Sequence, residues 1–156
     1  GENGCHLCSF FLDGMNGIYE HLKPRARFCA IAVGPAQELQ AISTQKGWKF
    51  PLYSSSQFAH DFGAAFTEQQ QQNGTADYNF GTLQWKYGAT APGLSVFVKT
   101  PTANGNKIYH TYSTFAAGLA DLNVTFALLD CIPEGRDEGE KGNMFWVKHK
   151  EQYDNE

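Results

Sequence analysis

The stretch Gly4-Cys5-His6-Leu7-Cys8-Ser9 places two cysteines three residues apart near the start of the chain. An apolar-periodic run from Phe10 to Leu22 follows at once and predicts an amphipathic helix over His6–Leu22, with the pair in its first turn. The unpaired backbone N–H groups and the positive dipole end of a helix favour a thiolate there. The pair therefore indicates thiol chemistry, although C-x-x-C also occurs in zinc sites and in structural disulfides.

The two cysteines have different predicted roles in that chemistry. Cys5, at the very start of the helix, is the candidate nucleophile. Cys8 lies one turn further in, close enough to attack a mixed disulfide formed on Cys5 and expel the product thiol. His6 lies between them, where an imidazolium would favour the thiolate further, although an ordinary solvated side chain is the alternative interpretation.

Length and composition favour one globular domain over residues 1–156. The chain is 42% hydrophobic and 14% aromatic, which excludes a disordered protein. Its net charge is -4, and residues 133–156 form an acidic tail with seven acidic and four basic side chains. The nearly neutral body has no basic stripe for phosphates, so we expect no nucleic-acid partner.

Two further absences in the sequence bear on location. No apolar run approaches about 18 residues, so we expect no membrane partner. Four cysteines in 156 residues are too few for a disulfide scaffold. A reducing, cytoplasmic location is the resulting expectation.

After the first helix, the chain alternates strand and helix. Residues 28–33 form an apolar run without alternation, typical of a strand covered on both faces of a parallel sheet. A second helix opens at Gly34-Pro35 and ends at Gly47, and a short strand follows within residues 48–53. Three phenylalanines spaced four apart then predict a helical turn: Phe58, Phe62 and Phe66.

Residues 67–91 are a polar excursion with a high aromatic load, which predicts that it packs back onto the domain or forms a lid over a site. An antiparallel hairpin follows, with strands over 94–98 and 107–112, and alternation places Ile108, His110 and Tyr112 on one face. A long helix capped by Ser113 or Thr114 is then predicted, with the apolar stripe Phe115, Leu119, Leu122, Phe126 and Leu129.

Five segments together resemble one family of thioredoxin-like proteins from bacteria and fungi, known only as a domain of unknown function. The resemblance spans nearly the whole chain and implies a thioredoxin-like α/β fold, a central mixed sheet flanked by helices. Its motifs are GCHLCSF at 4–10, GWKFP at 47–51, PGLSVF at 92–97, HTYST at 110–114 and PEGRDE at 133–138.

The resemblance also implies roles for residues far from the cysteine pair. In the thioredoxin-like fold a cis-proline opens the strand that faces the active-site disulfide, and Pro92 matches it. Pro92, its neighbour Gly93 and His6 are therefore the predicted substrate-binding residues. The fold also has a strand before the C-x-x-C helix, which we expect to be lost here or to lie N-terminal to this chain in a longer natural protein.

The predicted function is that of a thiol-disulfide oxidoreductase that needs no cofactor beyond Cys5 and Cys8. Its substrate would be a protein or small-molecule disulfide or thiol. A peroxidase of the peroxiredoxin kind is disfavoured, because that family places Thr or Ser three residues before its reactive cysteine. Here Glu2 precedes Cys5 at that distance.

Two alternatives from other classes stay open. In the first, Cys5 and Cys8 bind copper or zinc together with His6 or His110, a ligand set that suits Cu(I) better than a closed zinc site. In the second, the aromatic residues of the excursion and of the C-terminal run Phe145-Trp146-Val147 form a protein-binding surface. The alternative interpretation is that this run and His149 form an anchor that docks the tail onto the domain.

Overall fold

The computed structural model describes residues 4–56, 67–84 and 88–155 of the chain. They form a mixed α/β protein that divides into two compact units, one of residues 1–57 with 123–156 and one of residues 58–122. The expected helical turn at Phe58, Phe62 and Phe66 lies outside the described residues, as do Trp85 and Tyr87. A single domain over residues 1–156 stays a prediction.

The first unit is built from helices and one parallel strand pair. Helix α1 has the predicted bounds, and the cysteine pair lies at its start. Residues Lys23 and Pro24 follow the last helical residue, as a proline that cannot continue a helix requires. The elements are α1 (His6–Leu22), β1 (Ala30–Ala32), α2 (Ala36–Lys46), β2 (Leu52–Ser54), α4 (Val124–Leu129) and a 3₁₀ helix (Lys150–Asn155).

Strands β1 and β2 pair in parallel, from Ala30 opposite Leu52 to Ala32 opposite Ser54, with α2 as the crossover between them. Helix α2 starts directly after Pro35 and ends at Gly47, whose φ of +69° is the left-handed conformation that glycine adopts without strain. The predicted end at Gly47 is thereby confirmed, and the helix begins one residue later than predicted, because Pro35 is its N-cap. The predicted burial of β1 on both faces is wrong, because Ile31 is 52% exposed.

The second unit holds the polar excursion and the hairpin. Its elements are α3 (Glu68–Gln72), β3 (Asp77–Tyr78), β4 (Leu83–Gln84), β5 (Gly93–Thr102), β6 (Gly105–Phe115) and a 3₁₀ helix (Ala116–Leu122). The excursion packs back: Tyr78 is 1% exposed, its ring lies 5.5 Å from that of Phe115, and its hydroxyl accepts a hydrogen bond from the backbone N–H of Ala116 at 2.9 Å.

The predicted central mixed sheet differs from the arrangement found. Within the described ranges, the strands form three separate two-stranded sheets: parallel β1–β2, antiparallel β3–β4 and antiparallel β5–β6. The mixed α/β class is confirmed, and the thioredoxin-like topology stays a prediction.

The predicted hairpin is confirmed, but the predicted assignment of its side chains to the two faces is wrong. A β-bulge shifts the register, so that Tyr112 lies opposite Val96 whereas His110 lies opposite Phe97. Because Val96 and Phe97 point to opposite faces, His110 and Tyr112 do so too. The extra residue, Thr111, explains why strict alternation placed them wrongly on one face.

The long helix predicted from Ser113 or Thr114 onward is also wrong. Strand β6 continues through Phe115, a 3₁₀ helix follows, and α4 begins anew at Asn123, whose side chain accepts from the N–H of Thr125 at 3.0 Å. Ala116 has a φ of +48°, which no α-helix accommodates. The bond from its N–H to Tyr78 stabilises that turn, so packing overrides the helical stripe.

The C-terminal segment packs onto the first unit, as the anchor interpretation predicts. Val147 is 4% exposed, and the indole of Trp146 lies 5.5 Å edge-on from the ring of Phe10 on α1. Phe126 of α4, 3% exposed, contacts both of these rings. None of the helices in the described part of the chain combines the length and the apolar character that a bilayer crossing needs.

Candidate thiol site at the start of helix α1

Cys5 is the N-cap of α1, with an extended backbone at φ -81° and ψ 122°. Its carbonyl accepts the first helical hydrogen bond, from the N–H of Ser9 at 2.9 Å. Its Sγ accepts from the N–H of Cys8 at 3.2 Å, the bond that a serine or aspartate side chain makes at ordinary helix starts. The cap geometry therefore aims otherwise unpaired backbone donors at a sulfur atom.

The surroundings shift the pKa values of the two thiols in opposite directions. A hydrogen bond from the Cys8 side chain lowers the pKa of Cys5 to about 5, helped by the backbone N–H groups of Cys8 and Leu7 and by the charge of His6, against the opposing effect of burial. The same hydrogen bond, burial and the Cys5 charge raise the pKa of Cys8. The pair thus shares one proton, which resides on Cys8, and leaves Cys5 ionised at neutral pH.

Both sulfur-bearing residues are free cysteines and exposed. A thiolate that is reduced, accessible and stabilised by donors is the form of cysteine that attacks disulfides. His6 is exposed too and lies directly beside Cys5 in the chain. The structure therefore brings together three of the predicted site residues: Cys5, His6 and Cys8.

Pro92 and Gly93 lie in the other compact unit, at the start of β5, and their contribution to the site stays a prediction. The expected cis bond is not found, because every peptide bond of the described residues is trans. The carbonyl of Pro92 accepts a hydrogen bond from the Tyr78 hydroxyl. That bond ties the Pro92 segment to the buried tyrosine.

His110, the alternative metal ligand, also belongs to the second unit. Its Nε2 lies 2.5 Å from the Ser113 hydroxyl, and its ring stacks on Phe97 at 5.0 Å. Over residues 4–56, 67–84 and 88–155, no group of three or more His, Cys, Asp or Glu side chains is arranged to hold a metal ion. The copper or zinc alternative stays a prediction without a supporting contact.

The other two cysteines differ from the pair. Cys29 lies in the run 28–33 that the sequence predicts to be covered on both faces, but it is exposed, and partial burial of its thiol raises its pKa. It lines a groove of about 720 Å³ at the opposite end of α1, together with Tyr19 and Tyr53. The Cys131 thiol donates to the carbonyl of Ala127 at 3.2 Å, and both cysteines are free, so the two form no bridge.

Sequence reasoning missed one neighbour of the site. The ring of His149, from the C-terminal segment, lies 6.1 Å from that of His6 at an interplanar angle of 76°. His149 is itself contacted by Lys46, the last residue of α2. Nothing in the local sequence signals this contact, because it joins residues 143 positions apart (149 − 6).

The comparisons with known proteins decide the family. The model of the family described as "Bacterial protein of unknown function (DUF899)" matches residues 1–153 of this chain. The chain belongs to this family. No curated protein and no solved structure gives a significant match. Membership in this family of unknown function therefore names no activity, and the functional argument rests on the thiol site.

Proposed function

We propose that this protein is a thiol-disulfide oxidoreductase whose reactive pair is Cys5 and Cys8. The observation that carries the proposal is the position of Cys5 Sγ at the N-cap of α1, where it accepts a hydrogen bond from the N–H of Cys8 in place of a capping oxygen. The donors around this sulfur lower the pKa of Cys5 to about 5. An ionised, exposed sulfur with a second thiol one helical turn away is what disulfide exchange requires. No cofactor is needed for this chemistry.

The reaction balances with these two sulfurs. The Cys5 thiolate attacks one sulfur of a substrate disulfide, forms a mixed disulfide and expels the first product thiolate, which takes up a proton from solvent. Cys8 then loses its proton and attacks Cys5 Sγ, which expels the second product thiolate. The protein ends with a Cys5–Cys8 disulfide, and two electrons have passed to the substrate.

The pKa shifts suit this order of events. In the reduced protein the negative charge of Cys5 helps to keep the proton on Cys8. Once Cys5 is bonded to substrate sulfur, it carries no charge, so one cause of the high Cys8 pKa is removed. The second thiol therefore becomes easier to ionise at the step that uses it. An external dithiol would return the pair to the reduced form.

The thioredoxin-like fold and a reducing, cytoplasmic location belong to the same proposal. A helix that begins with C-x-x-C, the parallel β1–α2–β2 unit and the β5–β6 hairpin follow each other in an order that resembles this fold. Four free cysteines, each exposed, suit a compartment that keeps thiols reduced.

Trapping the mixed disulfide tests the proposal. In C8S, oxidised glutathione should leave one glutathione attached to Cys5, whereas the wild-type protein should resolve the adduct to an internal Cys5–Cys8 disulfide and release two reduced glutathiones. C29S is the matched control and should behave as wild type. Mass spectrometry of acid-quenched samples reads both products. A wild-type protein that reacts no faster than C5S would overturn the proposal.

A further inference from the structure

One buried lysine, Lys46 at the end of α2, has no part in the reaction above. The side chain of Lys46 is 2% exposed, and its ammonium contacts two side chains of the C-terminal segment. Its Nζ donates to a carboxylate oxygen of Glu151 at 2.8 Å and lies 3.2 Å from Nδ1 of His149. A buried charge of this kind is retained only where its partners are fixed, so it holds both residues in place.

The contact with Lys46 fixes the orientation of the His149 ring. An ammonium group has donors only, so Nδ1 of His149 is the acceptor in this contact. The ring of His149 then lies edge-on to that of His6, at 6.1 Å between centroids and an interplanar angle of 76°.

Lys150, the next residue after His149, is paired as well. Lys150 binds Asp13 of α1 at 3.0 Å and the carbonyl of Lys46 at 2.7 Å. Asp13 also accepts from the indole N–H of Trp48 at 2.8 Å. These bonds fix the C-terminal segment against α1 and the end of α2, so the ring of His149 has a defined position relative to His6.

We propose that His149 is a positioning residue for the thiol site: clamped by Lys46, its ring packs against His6 and keeps that imidazole beside the Cys5 thiolate. The inference rests on the proposed function. It adds a requirement that the motif alone does not contain, because a residue of the C-terminal segment then tunes a cysteine at the start of the chain. His6 is one of several causes that favour the thiolate, so the effect is modest.

The thiolate absorbance of the reduced protein, titrated from pH 3.5 to 8 in wild type and three variants, tests the inference. H149A and H149Q both remove the ring, and each should raise the midpoint of Cys5 so that about two- to threefold less thiolate is present below it. H149F keeps an aromatic ring against His6 but lacks the acceptor for Lys46, so it should shift the midpoint less than H149A does. H21A removes another histidine of α1 and should leave the midpoint unchanged.

Each outcome bears on one claim. If the wild-type midpoint is low and H149A leaves it unchanged, the inference is overturned and the proposed function stands. The same holds if H149F shifts the midpoint as far as H149A does. A midpoint that shifts as expected in a protein that fails to exchange disulfides would support the inference and overturn the function. An ordinary wild-type thiol midpoint would overturn both. Thermal unfolding of each variant shows whether a shift reflects lost stability instead of lost positioning.

Discussion

Cys5 and Cys29 are two exposed free thiols of the same compact unit, and their surroundings shift their pKa values in opposite directions. Cys5 receives hydrogen bonds from Cys8 and from helix-start N–H groups, which lower its pKa to about 5. Cys29 receives only partial burial, which raises its pKa. Exposure alone therefore does not make a cysteine reactive; the donors that face its sulfur do.

The largest expected effect is a difference in alkylation. At pH 6 Cys5 should be mostly thiolate, whereas the thiolate fraction of Cys29 should be roughly one part in a thousand or less. A thiolate with a low pKa is a weaker nucleophile, which offsets about two of those three powers of ten. Iodoacetamide should therefore label Cys5 roughly tenfold faster. Mass spectrometry of the two peptides after timed labelling measures the ratio. Equal rates at pH 6 would remove the contrast between the two thiols.

The next effect isolates the hydrogen bond from Cys8. C8A removes the largest cause of the low Cys5 pKa but keeps the backbone N–H of residue 8, and we expect a rise of about one unit, or tenfold less thiolate below the midpoint. C8S keeps a hydroxyl donor and should shift less. The pH dependence of labelling at Cys5 reports both. Identical midpoints in C8A and wild type would show that the side-chain bond has no effect.

The smallest effect is on stability. Because folding lowers the pKa of Cys5, its contribution is present in full above the unfolded thiol pKa and is lost as pH falls towards about 5. The free energy of unfolding of wild type relative to C5S should therefore rise between pH 5 and 8, by about 1 kcal/mol once solvent screening of an exposed group is allowed for.

C29S provides the control for that series. Folding raises the pKa of Cys29, so its contribution is constant at low pH and falls only as pH rises through the unfolded thiol pKa. The C29S difference should stay flat between pH 5 and 8. Urea unfolding under reducing conditions at several pH values measures both series. Parallel pH dependence for C5S and C29S would contradict the assignment of opposite shifts.

Local chemistry made the start of the chain predictable. The bounds of α1 follow from the apolar period after the cysteines and from Pro24, and those of α2 follow from Pro35 and Gly47. The low pKa of Cys5 was likewise expected from a helix start alone. These signals act over one or two helical turns, so a sequence reveals them without knowledge of distant contacts.

Contacts between distant residues explain what was missed. The stripe from Phe115 to Leu129 has helical spacing, yet Phe115 stays in β6 because it packs under Tyr78, 37 residues earlier (115 − 78). Thr111 carries no sequence sign that it forms a bulge, so strict alternation wrongly places Tyr112 on the same face as Ile108 and His110. His149 contacts His6, and Lys46 contacts His149, only because the folded chain brings them together.

The measurement that tests the central claim most directly is the ultraviolet titration of the reduced protein at about 240 nm, where a thiolate absorbs and a thiol does not. In wild type one thiolate should form as pH rises, with a midpoint near the Cys5 pKa of about 5, and C5S should lack that step. A first thiolate in wild type that forms only near the ordinary thiol value of about 8.5, or a low step that persists in C5S, would contradict the account.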